Sequence, residues 1–411
     1  MNQNEIIVQY GMNRINDRFE FIERKGVGHP DTLSDHLAEA LSRNYSNDTR
    51  NRFGAILHHN FDKVGLLGGK SYVTLGSGYI TSPIRVLING RVSTSFAGEG
   101  IDSEGIIRQT VFDFFHDRFR GLIESKDLEF HMNLSNGSSN GKTDEANAEK
   151  GSRKYWFEPR GLQDLHELAH LHANDTSLGC GYAPFSATEQ AVLEAEGLLN
   201  SNAYKDAHPW CGSDIKVMAS RIDDKVDITM CVPQIANYVN NALEYNTNLE
   251  KIRSDLEIVL EKYFGKKFTL HLNTRDNFEN GQLYLTATGS SIESGDEGLV
   301  GRGNRINGII ANNRPMSMEG SNGKNPVYHV GKIYNIAAFR IARAIYEKTS
   351  SPAEVFLISQ TGRDLLNPWK TYVKLQDANI VIENVADIVR QQLEQIPNIT
   401  NELLRGEIIL A

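Results

Sequence analysis

Short β-like runs and apolar-periodic helices follow one another in every third of this sequence, and no other feature restricts the fold as much. Ile6 to Tyr10, Phe19 to Glu23, Gly54 to Leu57, Val64 to Leu67, Tyr72 to Leu75 and Ile84 to Ile88 read as strands between glycine-rich turns. Leu33, Leu37, Ala40 and Leu41 recur at helical spacing and predict a helix over about 31–45, and a second is expected over about 106–119. Further on, helices are expected over about 187–199, 234–263 in two pieces, 330–348 and 385–395. Strands are expected at Ile215 to Arg221, Lys225 to Cys231, Phe268 to Asn273, Leu283 to Thr288, Ala353 to Leu357 and Tyr372 to Leu375. Such a mixture predicts an α+β protein whose mixed sheets carry helices on one face. The length of 411 residues suggests three units, placed at about 1–125, 126–280 and 281–411.

The net charge of -9 leaves no basic face for the phosphate backbone of a nucleic acid, so nucleic acid is not an expected partner. An acidic chain that handles a polyphosphate must gather its cations locally. Cys180, Cys211 and Cys231 show no C-x-x-C spacing and read as reduced and mostly buried. No run of about 18 apolar residues occurs, and the first residues carry Glu5 where a signal peptide would need a basic end and an apolar stretch. No membrane span is expected, and the cytoplasm is the expected location.

Four stretches carry chemistry. In Gly26-Val27-Gly28-His29-Pro30-Asp31 two glycines let the backbone bend close to a ligand, and a histidine and an aspartate stand where a loop enters a helix. Taken alone it could be no more than a helix cap. Asn174 to Pro184, with Asp175, reads as a glycine-broken loop able to hold an ammonium group, or as an ordinary Asx turn. Asp214 and Lys216 would project from one side of a strand, as a site or as a surface ion pair. From Gly289 to Gly323, and on to Lys332, Asp296, Arg302, Lys324 and Lys332 lie among glycines ahead of a helix, an arrangement suited to a polyphosphate. The segment 134–151, rich in Asn, Ser, Gly and Lys, reads as a loop. His58 and His59 are adjacent on a strand and point apart, which makes them a poor metal pair.

Taken in order, Gly28-His29-Pro30-Asp31, Asn174 to Pro184, Gly212 to Met218, Gly301-Arg302-Gly303-Asn304-Arg305, Arg314 to Glu319, Gly323-Lys324-Asn325-Pro326 and Lys332 resemble the archaeal-type S-adenosylmethionine synthetases over nearly the whole chain. The resemblance implies three similar α/β domains interleaved in sequence, in a homodimer or tetramer with active sites between subunits. It implies ATP and L-methionine as substrates, two Mg²⁺ and K⁺. By resemblance His29, Lys216, Arg302 and Lys324 are catalytic. The same four with Asp296 and Lys332 bind ATP and its polyphosphate, Asp62, Asp175 and Asp296 bind methionine, and Asp31 ligates metal. Phe61, Tyr328 and Leu75-Gly76-Ser77-Gly78 depart from the family pattern, and Asn136 to Gly141 only faintly echoes its glycine-rich ATP stretch. Two other readings stay open: a paralogue acting on a methionine analogue, and a binding subunit that holds ATP or S-adenosylmethionine.

Overall fold

The computed structural model describes residues 5–11, 17–137 and 155–410. Eight α-helices stand among the described residues: α1 (Pro30–Phe53), α2 (Ser103–Arg118), α3 (Ala187–Leu199), α4 (Asn202–Ala207), α5 (Ala242–Phe264), α6 (Val330–Thr349), α7 (Ile382–Leu393) and α8 (Ile396–Arg405). They cover three mixed sheets. The first runs Leu128–Ser135, Ile84–Val92, Gly65–Leu67, Glu297–Leu299, with His59–Asn60 also paired to Ile84–Val92. The second runs Phe268–Leu272, Lys225–Cys231, Lys216–Ile222, Phe19–Lys25, Ile310–Ala311; the third Glu5–Tyr10, Lys370–Leu375, Ala353–Ile358, Leu178–Ala183. In each sheet an edge strand pairs parallel with its neighbour and the following pairs are antiparallel, so the three units share one plan.

Alternation along the strands gives each sheet one face for its helices. In the second sheet Ile22, Val217, Ala219, Val226 and Ile228 point into a core shared with Ala191 and Val192 of α3 and Leu249, Ile252 and Leu256 of α5. The first sheet closes on α1 and α2 through Leu33, Leu37, Ile107 and Val111, and the third on α6, α7 and α8 through Ile333, Ile341, Val389 and Leu403. Each sheet takes strands from more than one of the stretches 1–125, 126–280 and 281–411. The second, for instance, joins Phe19–Lys25, Lys216–Ile222 and Ile310–Ala311.

Several local expectations need correction. Leu178–Ala183 is a strand, not a loop: Gly179 and Gly181 are there because any side chain would overlap the backbone of α6 at Tyr334 and Ala338–Phe339, which crosses directly over them. Gly54 to Leu57 is not a strand, since Gly54 caps α1 in the left-handed region (φ 73°) and the chain turns there. The helix expected from 234 starts only at Ala242 and is unbroken, because Asn241 accepts from Glu244 N and sets the start. The C-terminal helix is two, α7 and α8, with Pro397 in the first turn of α8. The expected loop at 134–151 begins inside the strand Leu128–Ser135, and beyond Gly137 both it and the Asn136 to Gly141 stretch lie outside the described residues.

Candidate active site

The loop that carries His29 is shaped from beneath. Gly26 N donates to Ile215 O (2.6 Å) and Gly28 N to Ser213 O (3.0 Å). A side chain at Gly28 would overlap Ser213, so only glycine lets the loop lie this close. The chain then enters α1 with His29 as N-cap, its Nδ1 accepting from Asp31 N at 3.2 Å. Burial pushes the His29 pKa below the usual histidine value, against the opposing pull of Asp214 and Asp31. The ring is therefore neutral near pH 7, and since Nδ1 accepts, its proton is on Nε2, ready to be donated to a ligand.

Asp31 sits one turn into the loop's far side. Its Oδ2 accepts from Lys25 Nζ (2.9 Å) and its Oδ1 from Leu299 N (3.0 Å), while Lys25 Nζ also donates to Arg302 O (2.6 Å). These bonds fold the glycine-rich tract over the start of α1 and leave the Arg302 side chain exposed and, among the described residues, unpaired. Asp214 is 3% exposed and accepts from Ser291 N (3.0 Å) and Oγ; that hydroxyl lies 3.2 Å from Asp296 Oδ2. Burial pushes the Asp214 pKa up, and His29 and Ser291 partly offset this. Lys216 pairs with Glu23, 3.2 Å off, so of the two readings of Asp214 and Lys216 the ion pair between them does not form. The structure thus gathers His29, Asp31, Lys216, Asp296 and Arg302 around one helix start.

A second group follows along α1. Asp31, Asp35 and Glu39 recur every four residues on one helical face, and each holds a different part of the last third. Asp35 accepts from Gly301 N (2.8 Å) and Gly303 N (3.1 Å), and burial pushes its pKa up to about 7. Glu39 accepts from Gly323 N (3.0 Å) and from Lys332 Nζ through both oxygens (2.8 and 2.7 Å). Lys332 is fully buried and its ammonium is spent on Glu39, which gives it an indirect place in the site. Lys324 bonds Glu319 at 2.6 Å and lies 3.9 Å from Asp62, brought there by a bridge between Asn60 and Lys324.

Asp175 joins neither group directly. It is exposed and accepts from Thr176 N (2.7 Å), the next residue along. Of the departing residues, Phe61 is core, packed on Tyr45 and His59, and the Tyr328 hydroxyl is 2.6 Å from His58 Nδ1. Lys25 and Glu319 stand within motifs read from the sequence but were given no role there, and Asp35, Glu39 and Ser291 were not singled out. The four-residue spacing of Asp31, Asp35 and Glu39 was the signal that could have found two of them.

A neutral N–H donor, a carboxylate at a helix start and cations carried on glycine loops define a protein that handles a polyanionic ligand. The sequence profile described as S-adenosylmethionine synthetase (AdoMet synthetase) matches residues 5–153 and 157–407. An S-adenosylmethionine synthase of Pyrococcus furiosus is 40% identical over 352 residues, covering 85% of this chain and 83% of its own. That of Methanothermobacter thermautotrophicus is 35% identical over 421 residues and 99% of each chain. The chain belongs to the S-adenosylmethionine synthetase family. Its fold is also that of the solved structure of an unusual S-adenosylmethionine synthetase from Campylobacter jejuni, with a TM-score of 0.58 at 15% identity over 95% of this chain and 89% of the other.

Proposed function

We propose that this chain transfers the adenosyl group of ATP to the sulfur of L-methionine and releases triphosphate, which it then cleaves to pyrophosphate and phosphate. The observation that carries the reading is the His29 ring at the start of α1, whose Nδ1 accepts from Asp31 N at 3.2 Å and so leaves Nε2 to donate, with Lys216 close by. A thioether has no proton to lose, so the transfer needs no general base. It needs alignment of sulfur, C5′ and O5′, and stabilisation of the charge that develops on the departing triphosphate. His29 donates to the leaving oxygen or the phosphate next to it. Lys216 and Arg302, with Lys324 once it exchanges Glu319 for phosphate, hold the polyphosphate, and Lys332 positions that loop through Glu39. Asp296 and Asp175 hold the methionine and ribose ends, and Asp62 serves the amino acid.

Among the described residues no three His, Cys, Asp or Glu side chains converge as a metal cage. Mg²⁺ keeps several waters and needs one or two carboxylates beside substrate phosphates. Asp31 fits, since its Oδ2 and the Arg302 carbonyl already share the Lys25 ammonium, a pair of oxygens suited to a hard cation. Bound there, Mg²⁺ would neutralise phosphate charge; two such ions and K⁺ complete the reading. Lys216 projects from the same open sheet face as Phe21 and Met218, which supports a homodimer, or a tetramer of such pairs, with the site at the interface. We place the protein in the cytoplasm, and no helix among the described residues is long and apolar enough to cross a membrane. Mass spectrometry after incubation with methionine, ATP and Mg²⁺ tests the reading. S-adenosylmethionine with equal pyrophosphate and phosphate is expected, and phosphate release without an adenosylated product would overturn it.

A further inference from the structure

A polar cleft of about 430 Å³ opens between α1, α2 and the segment joining α3 to α4, on the side of the His29 loop away from the site just described. Val27 and Ser213 form part of its wall, and Ser213 O is the acceptor for Gly28 N. The cleft is therefore the back of the loop that carries His29. Arg43, Arg118 and Lys205 line it without a carboxylate within 4 Å among the described residues. Arg118, half-buried, donates to His36 Nδ1 at 3.3 Å, and its guanidinium lies over the Phe114 ring. Lys205 is 9% exposed, and its ammonium meets only the Cys211 and Gly212 carbonyls (2.9 and 2.6 Å) and the Cys211 sulfur (3.5 Å). Arg120, already paired with Asp206, adds a fourth cation, and the carboxylates at the cleft, Asp113 and Asp117, are exposed.

Buried cations are ordinarily paired, because an uncompensated charge away from water is costly. Here burial pushes the Arg118 pKa down, with Glu196 pulling it back, and does the same to Lys205, where Cys211 and Glu196 oppose it; His36 is driven to about 3, so it brings no charge of its own. Cations reach the cleft from separate walls, Arg118 from α2 and Lys205 from α4, with Ser213 between. A planar carboxylate would satisfy one wall; an anion with oxygens in four directions satisfies several. We propose that this cleft binds a small tetrahedral oxyanion of the phosphate or sulfate class between the Arg118 guanidinium and the Lys205 ammonium, behind the His29 loop.

Equilibrium dialysis against radiolabelled phosphate tests this, in a Lys216→Met, Arg302→Met background that weakens phosphate binding at the reaction centre. One phosphate per chain should remain in that background. Adding Arg118→Met should weaken it by about tenfold or more, the loss of one charge-assisted contact, with Arg118→Lys recovering part. Competition by sulfate but not by phosphate esters would assign the site to the free ion, and competition by esters alone to a phosphate headgroup; either supports the proposal. No phosphate bound in the background, or binding unchanged by Arg118→Met, overturns it. If Arg118→Met does not fold, crystals soaked in tungstate decide. Density between Arg118 and Lys205 with solution binding supports the site; tungstate only elsewhere, or density there without solution binding, an adventitious ion only, overturns it.

Discussion

His29 shows how a single capping bond can set a functional state. Its Nδ1 is committed to Asp31 N, and burial keeps the ring neutral, so one donor remains for the leaving group. His29→Ala should lower kcat by about 10²–10³, the scale of one lost transition-state donor, and change KM for ATP little. Steady-state kinetics that show equal losses in both would remove His29 from that role. Asp35 is the structural counterpart. Asp35→Ala leaves Gly301 N and Gly303 N without their acceptor and should cost about 1–3 kcal/mol in urea unfolding. Because burial raises the folded-state pKa of Asp35 to about 7, above its value of about 4 in the unfolded chain, its linked stability is full below pH 4. That contribution fades as pH rises through 7. Stability of Asp35→Ala measured from pH 4 to 8 should therefore fall less with rising pH than that of the unmodified chain, and parallel curves would contradict this.

At the scale of elements, α1 does most to organise the site. Its first residue cap carries His29, and its acids at 31, 35 and 39 tie down residues 299, 301, 303, 323 and 332 in turn. The helix itself was legible from its apolar spacing, but what its polar face holds was not, because those partners lie some 260 to 290 residues away in sequence, as the Asp35 and Lys332 pairings show. The strand Leu178–Ala183 was misread for a related reason. Glycine lowers strand propensity locally, yet here it is what α6 requires overhead. Gly181→Val should overlap the α6 backbone at Ala338 and Phe339 and destabilise the chain by about 1–3 kcal/mol or more, a shift that thermal unfolding would register. An unchanged melting temperature would mean that the helix does not cross so closely.

The whole molecule presents the open face of its second sheet with Phe19 50%, Phe21 39%, Met218 39% and Ile222 55% exposed, and Lys216 rises from the same face. A contiguous apolar patch of this kind is the surface that the proposed homodimer would cover. Phe21→Asp should shift the chain to a smaller species in sedimentation velocity and reduce adenosyl transfer with it. A chain that already sediments as a monomer, fully active, would refute the shared site.

Local pattern alone determined most helices, the strand Lys225–Cys231, the α+β class and the ordered motifs by which the family is recognised, since these depend on residues close in sequence. Tertiary structure alone decided which strands pair in each sheet, that Lys216 turns to Glu23 rather than Asp214, and that Lys332 is buried on Glu39. The physical reason is one of range: periodicity and turn chemistry act over a few residues, whereas the partner of a charged side chain is chosen by which segments packing brings together.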